Sequence, residues 1–364
     1  MKKDCLSLAG VEHRHWHNTY GMYMQRATAE GLELARKGNA KGGGGGDGRP
    51  FVLSRAFFAG SQRWGAVWTG DNAAKWDHLA ASAPMLLSMS LAGLPFVGAD
   101  VGGFFGDPSA ELFLRWMQAA AYQPFFRSHA HHDSKRREPW VFGDPWTARI
   151  RSVVMDRYAL LPYWYTLFQE ASDTGMPMMR PMWVQYPTDA NTFDMDDQVR
   201  PISTLVELCF KQRLRRSSLM MAGDPYTLVV ALDDGGKASG TLYLDDEESY
   251  DYRDKEGGGG RATRRFSFEE GVLAGRAAEG SGVYRPANTI ERVVIAGVGS
   301  APSSATLRVS SAGGGGADGA GEPAEAVSLG FTYDAAARVL TVRKPDVGVV
   351  EDFDLTLAFA AEAS

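Results

Sequence analysis

Residues 51–72 read FVLSRAFFAGSQRWGAVWTGDN, and the fold turns on how this stretch is parsed. Phe51–Leu53 and Gly65–Trp68 are short apolar runs of strand length bounded by turn residues. Each is followed by a polar side chain out of place in a core, Arg55 after the first and Asp71 after the second. In barrels and open sheets of parallel strands, side chains at the carboxyl ends of strands project into one mouth, where loops decide residue choice. A carboxyl group there, ringed by Trp64, Trp68 and Trp76, is expected to be partly desolvated and its pKa raised, as a general acid near neutral pH requires. Asp71 also stands where it can cap a helix beginning around Ala73, because aspartate is a favoured N-cap. Taken alone, the stretch leaves both readings open.

Downstream, residues 74–91 carry Trp76, Leu79, Ala83, Leu86 and Leu87 on one side and read as a helix. A strand over Leu94–Ala99 then ends at Asp100, and Val101-Gly102-Gly103-Phe104-Phe105 follows as a turn whose glycines let backbone approach a ligand closely. A helix over 109–121, a strand over Pro124–Arg127 ending at His129, and a helix over 145–175 complete this half. Upstream, Tyr20, Tyr23, Met24 and Ala27 predict a helix within residues 11–36 that ends by Gly38, and Lys41–Gly48 is a flexible glycine-rich loop. The polar strand tips recur: Arg55, Asp71 sixteen positions on, then Asp100 and His129 at intervals of twenty-nine. Intervals near thirty match a βαβ unit. The expectation is the C-terminal half of a (β/α)8 TIM barrel, four strands strong, with a site on its C-terminal face.

After Tyr186-Pro187-Thr188 the pattern changes. Short β-rich runs at Thr227–Ala231, Gly240–Leu244, Arg265–Phe268, Arg292–Ile295, Thr306–Val309 and Val339–Val342, separated by turns, predict a C-terminal β-sandwich. Gly257–Gly260 and Ala312–Gly321 read as disordered surface insertions between those strands. The fold class is thus α/β plus all-β. Residues 1–198 form the partial barrel, 199–212 a divergent junction, and 213–364 the sandwich.

The bulk numbers exclude several functions. A chain of 364 residues with 44% hydrophobic content can bury a real core. A net charge of −6 and a short basic cluster at Arg213–Arg216 give no field for nucleic acid. Two cysteines, Cys5 and Cys209, make no disulfide framework. No apolar run has the length of a membrane span, no signal core follows Met1-Lys2-Lys3-Asp4, and Ala361-Glu362-Ala363-Ser364 carries no retention signal. His13, His15 and His17 alternate near the start, but no acidic or cysteine partner follows, so no metal site is expected there. No cofactor is called for.

The string SRAFFAGSQRWGAVWTGDN resembles the segment before and around the catalytic acid/base of family 31 glycoside hydrolases. The resemblance runs from about Val11 to Gln198 and resumes more weakly from about Lys211 to the end. It is nearest to the branch that trims α-1,3-linked glucose from N-glycans in the endoplasmic reticulum lumen beside a non-catalytic β-subunit. It implies an α-glucoside or N-glycan oligosaccharide as ligand, with Asp71 as the acid/base that protonates the leaving oxygen and then activates water. Arg55, Trp68, Asp100 and His129 match the family's grip on the glucose at subsite −1, and Phe104 and Arg127 match residues lining that pocket. The chemistry suits a sugar: Asp100 and Arg55 can make charge-assisted bonds to hydroxyls, and Trp68 offers a ring to a pyranose face.

Two departures from the family pattern matter. Retaining hydrolysis needs two carboxyl groups about 5–5.5 Å apart, and the family's nucleophile lies in a Trp-Xaa-Asp-Met-Asn-Glu motif that does not occur in this sequence. Most of the family's proximal β-domain is also expected to be missing after Gln198. A non-catalytic remnant or gene-model fragment that only binds sugar is therefore the first alternative. A metal-dependent barrel hydrolase is the second, built on His129-Ala130-His131-His132-Asp133 with Asp100. Other plain readings are that Arg55 and Asp100 form a buried structural ion pair and that Trp68 is core.

Overall fold

Short apolar runs tipped by polar residues do pair side by side. In the computed structural model, which describes residues 1–40, 48–196, 208–254, 259–310 and 326–360, β1 (Leu53–Ser54), β2 (Ala66–Trp68) and β3 (Val97–Gly98) form a parallel sheet in that order. Val67 and Val97 pair in register and share a buried cluster with Leu86, Leu87, Leu94 and Met179. Leu86 and Leu87 come from α2 (Trp76–Leu91), whose N-cap is Lys75. The helix begins after the position that Asp71 would cap, so capping does not explain Asp71.

The expected fourth strand, Pro124–Arg127, is not a ladder strand. Its backbone runs beside β3, with Phe125 N donating to Val97 O at 3.1 Å and Val101 N donating to Arg127 O at 3.0 Å. Between them the Gln123 side chain takes the Ala99 N–H at 3.1 Å, and Pro124 has no N–H to give. A side chain and a proline thus interrupt what would be a regular ladder. An ideal Cβ on Gly98 would fall 1.9 Å from Phe125 O, so a glycine in β3 is what lets this segment come so close.

Around the sheet, α1 (His17–Ala40) starts after a turn of 3-10 helix at His13–His15, later than the 11–36 expectation. His13 is buried, with its Nε2 2.7 Å from His17 Nδ1. Helix α3 (Ala110–Ala120) is capped by Ser109, whose Oγ accepts the Leu112 N–H at 3.2 Å, and it buries Phe113, Trp116 and Met117 with Val101 and Ile150. The single helix expected over 145–175 is two: α4 (Trp146–Ala159) and α5 (Leu161–Thr174). Pro162, with no N–H for a continuous ladder, sits in the first turn of α5, where proline is tolerated.

Chain contacts divide the molecule into two units, Met1–Arg157 with Glu170–Ile202, and Tyr158–Gln169 with Ser203–Ser364. The second contains β4 (Leu208–Gln212), β5 (Tyr226–Ala231), β6 (Ala238–Asp245), β7 (Arg261–Glu269), β8 (Val272–Ala277), β9 (Thr289–Ala296), β10 (Ser304–Ser310), β11 (Val327–Ser328), β12 (Phe331–Asp334), β13 (Val339–Gly348) and β14 (Asp352–Ala358). One sheet runs β12-β13-β9-β5-β4 and the other β11-β10-β14-β8-β7-β6. All pairs are antiparallel except β5–β9. Inward residues of both sheets, among them Phe210, Leu228, Ile295 and Leu340 from one and Leu242, Phe266, Leu273 and Phe353 from the other, form one apolar cluster. Strand β4 lies inside the stretch expected to be a junction, because Leu208 and Phe210 alternate into that cluster. The rest of that junction as far as residue 207, nearly all of the Lys41–Gly48 loop, the first half of Gly257–Gly260 and all of Ala312–Gly321 lie outside the described residues. Among the described residues, no helix is long and apolar enough to cross a membrane.

Candidate active site

One residue past β1 and three past β2 the chain turns outward, and the side chains at these tips meet. The Arg55 guanidinium donates to Asp71 at 3.2–3.3 Å. Asp71 is open to solvent rather than ringed by tryptophans: Trp76 is 52% exposed, and Trp64 carries the Arg26 guanidinium over its ring. The desolvated acid expected from the tryptophans is thus replaced by a solvent-accessible ion pair. Trp68 is half-buried, with the guanidinium of Arg55 at 5.9 Å and that of Arg127 at 5.2 Å from its ring centroid. Its indole Nε1 is buried with no partner. The ring is a face shared by two cations rather than plain core.

Asp100, at the tip of β3, is 1% exposed. Its Oδ1 accepts from Arg127 Nη2 at 2.7 Å and Nε at 3.2 Å, while Oδ2 is buried with no hydrogen-bond partner. Burial pushes the Asp100 carboxyl above its ordinary value; Arg127 and then His129 pull it down, and Asp71 adds a smaller upward push. The expected alternative of an Arg55–Asp100 ion pair is not formed. Each has another partner, because the side chains pair with the neighbour their strand tip faces.

The loop after β3 is held by two residues that sequence reasoning passed over. Asn72 donates from Nδ2 to Asp100 O at 3.0 Å and accepts the Phe104 N–H on Oδ1 at 2.8 Å. Arg137, buried, donates to the carbonyls of Gly102, Gly103 and Gly106. Nothing in the sequence marks Arg137 apart from its neighbour Arg136, since its partners are backbone carbonyls more than thirty residues away. Gly103, at φ +82°, leaves no room for a side chain: a Cβ would meet the Ala73 and Ala74 backbone at 2.3–2.6 Å. The glycines expected to admit a ligand admit the chain itself instead, Gly103 the backbone of Ala73 and Ala74 and Gly102 the ring of Phe113. Phe104, so placed, lies 5.2 Å from the His129 ring, and His129 is exposed.

The tips therefore bring Arg55, Trp68, Asp71, Asp100, Phe104, Arg127 and His129 into one linked set of contacts. An open cavity of about 830 Å³ is lined by Arg55, Trp68, Thr69 and Gly70 together with Phe57 and Met85. A second, of about 470 Å³, holds Asp71, Asn72 and His78 and shares Thr69 and Met85 with the first. These volumes suit a small-molecule site. Asp100 is not grouped with the histidines: among the described residues, the set able to hold a metal ion is His131, His132 and Asp133.

Three comparisons relate the chain to known proteins. The profile described as "Glycosyl hydrolases family 31 TIM-barrel domain" matches residues 1–167. Neutral alpha-glucosidase AB of Dictyostelium discoideum is 42% identical over 415 aligned positions, covering 98% of this chain and 41% of that protein. A probable glucan 1,3-alpha-glucosidase of Oryza sativa is 40% identical, with 98% and 43% covered. The catalytic subunit in a crystal structure of the ER glucosidase II heterodimeric complex with the binding domain of its regulatory subunit superposes with a TM-score of 0.86 at 33% identity, over 98% of this chain and 44% of that one. The chain thus spans about two-fifths of the length of the curated relatives it matches. Because 415 aligned positions exceed the 364 residues here, the relative holds residues inside the aligned region that this chain lacks. Residues 1–167 thus carry the TIM-barrel domain of glycosyl hydrolase family 31, in a chain that is similar along 98% of its length to neutral alpha-glucosidase AB and to the glucosidase II alpha subunit.

Proposed function

We propose that this chain carries the acid/base and sugar-binding half of an α-glucosidase site of the glucosidase II type, acting by retention on terminal α-linked glucose of N-glycans. Asp71 is the acid/base. It must be protonated to assist the leaving oxygen, so productive binding requires the Arg55 pair to open, with Arg55 turning to a sugar hydroxyl. Trp68 supplies an apolar face, and Phe104 and His129 close the far side. The observation that supports this reading best is Asp100, with one oxygen locked by Arg127 and the other buried without a partner. A lone acceptor of this kind is costly unless a donor arrives, and a glucose hydroxyl is such a donor.

The relatives' names extend the proposal to an α-1,3 linkage, to the endoplasmic reticulum lumen and to a regulatory β-subunit partner. A half-barrel followed by a β-sandwich is the architecture this reading assumes. A second reading, a sugar-binding chain without turnover, is favoured by one feature of the sequence: the Trp-Xaa-Asp-Met-Asn-Glu nucleophile motif is not in it. Both readings require sugar binding, which calorimetry with a cationic iminosugar mimic of glucose measures. Asp100→Ala should weaken binding by about 10–100-fold, the cost of leaving a sugar hydroxyl buried without its partner. Equal affinity in the parent and Asp100→Ala would remove the sugar reading of this cluster.

A further inference from the structure

His131, His132 and Asp133 follow one another on the turn after His129, and one ligand atom from each lies within 4.8 Å of the others. The imidazole rings of His131 and His132 are 4.1 Å apart between centroids. Asp133 bridges them, with Oδ2 3.5 Å from His131 Nδ1 and Oδ1 3.2 Å from His132 Nε2. Tetrahedral ligand bonds of about 2.0–2.2 Å to histidine nitrogen and carboxylate oxygen place neighbouring ligand atoms roughly 3.3–3.6 Å apart, so the two Asp133 contacts are already near that spacing and only the widest separation has to close. His132 and Asp133 are 81% and 78% exposed at the side chain, so both are free to close by rotation.

The backbone beneath them is already fixed. His131 N donates to Phe104 O at 2.9 Å, Ser134 N to His131 O at 3.0 Å, and Lys135 N to Asp107 Oδ1 at 2.8 Å. The His131 ring is itself set against Phe105 at 5.5 Å and edge-on to Phe104 at 5.6 Å. Only two outer side chains remain to be ordered, which keeps the entropic cost of binding low.

We propose that His131, His132 and Asp133 form a binding site for a divalent transition-metal ion of the zinc class, separate from the proposed sugar contacts and independent of that functional reading. Two imidazoles and one carboxylate are a ligand set for zinc, nickel or copper rather than for magnesium or calcium, which prefer all-oxygen sites. Three protein ligands leave a fourth position for water. Because His131 packs on Phe104, and Phe104 on His129, a bound ion braces the turn beside the candidate active site rather than entering it.

The test is calorimetric titration of the full chain, stripped with chelator, with zinc chloride and in parallel with magnesium chloride. The expected result is one saturable zinc per chain and no magnesium binding. His132→Leu and Asp133→Asn, both at exposed positions, should each weaken zinc by at least about tenfold, since even the outer-shell partners of a metal are worth about 10–100-fold. His17→Ala, which alters the other histidine pair, should bind as the parent does. Absence of saturable zinc binding, undiminished affinity in both turn variants, or loss of binding in His17→Ala would each overturn the assignment.

Discussion

A carboxyl group stripped of water tends to keep its proton, whereas a guanidinium bonded to it favours the anion. At Asp100 burial outweighs Arg127, and the folded-state pKa is raised. The consequence for stability has a definite sign. Below the ordinary aspartate value, about 3.9, Asp100 is protonated in both folded and unfolded chains and contributes no pH dependence. Above it the unfolded chain releases the proton while the folded chain holds it, so the stability due to this group falls as pH rises until the raised folded value is passed. Asp100→Asn keeps an acceptor for Arg127 and cannot ionise. The melting temperature of Asp100→Asn relative to the parent should therefore climb from about pH 4 upward, and thermal scans over pH 3–8 read it directly. A constant offset between the two proteins across that range would show that burial of Asp100 carries no net ionisation cost. The same residue shows what the sequence could and could not tell. That Arg55, Asp71 and Asp100 follow strands is legible, because each interrupts an apolar run, whereas His129 follows a segment that runs beside β3 without forming a ladder strand. Which of them pair is not, because the partner depends on side-chain reach across neighbouring tips.

At the level of elements, strands are legible where branched residues run together, as in Arg292–Ile295 within the longer β9, and are missed where the signal is short or polar. Strand β14 places Phe353, Leu355 and Leu357 inward between Asp352, Asp354 and Thr356, an alternation of period two that reads as a half-buried strand once looked for. Strand β8 is shorter and holds Gly275, whose missing side chain leaves room for the rings of Phe266 and Phe353. The hairpin joining β7 to β8 has a two-residue loop, Glu270-Gly271, because Glu269 pairs with Val272. Both loop residues have positive φ, 50° and 76°, the signature of a type I′ turn, which favours Asn-Gly. Glutamate is poorly suited to that backbone, and Glu270→Asn should raise stability by about 1 kcal/mol, the lower end of the roughly 1–2 kcal/mol left-handed penalty for ordinary residues. The midpoint of urea unfolding measures it. A midpoint that stays put or falls would show that Glu270 gains as much from its surroundings as it loses in the turn. By contrast Gly271→Ala would drive a Cβ to 2.9 Å from Leu357 O, so the two loop positions should respond with opposite sign.

For the molecule as a whole, the question is whether the proposed proton donor and sugar grip amount to a catalyst. If Asp71 is the acid/base proposed above, retention requires a second carboxylate across the scissile bond from it, and the sequence does not contain the family's nucleophile motif. Asp100 is the other carboxylate at a strand tip, but it is nearly sealed from solvent, one of its oxygens is held by Arg127, and burial favours its neutral form, all of which make it a poor nucleophile. Among the described residues β1 pairs with β2 alone and so leaves a strand edge open, and Phe51 beside Phe96 and Phe125 is 58% exposed. Open edges and exposed aromatic rings invite association, so activity has to be read on soluble, monodisperse protein. We expect such protein to bind the iminosugar mimic yet hydrolyse p-nitrophenyl α-glucoside no faster than its Asp71→Asn variant. Co-expression with a segment carrying the nucleophile motif should restore turnover, and Asp71→Asn should then cost roughly 10²- to 10⁴-fold, the usual worth of general acid–base help. Turnover by this chain alone that disappears in Asp71→Asn would mean that a second carboxylate is present after all, and Asp100→Asn, retaining Arg127's acceptor but not the charge, would show whether it is Asp100.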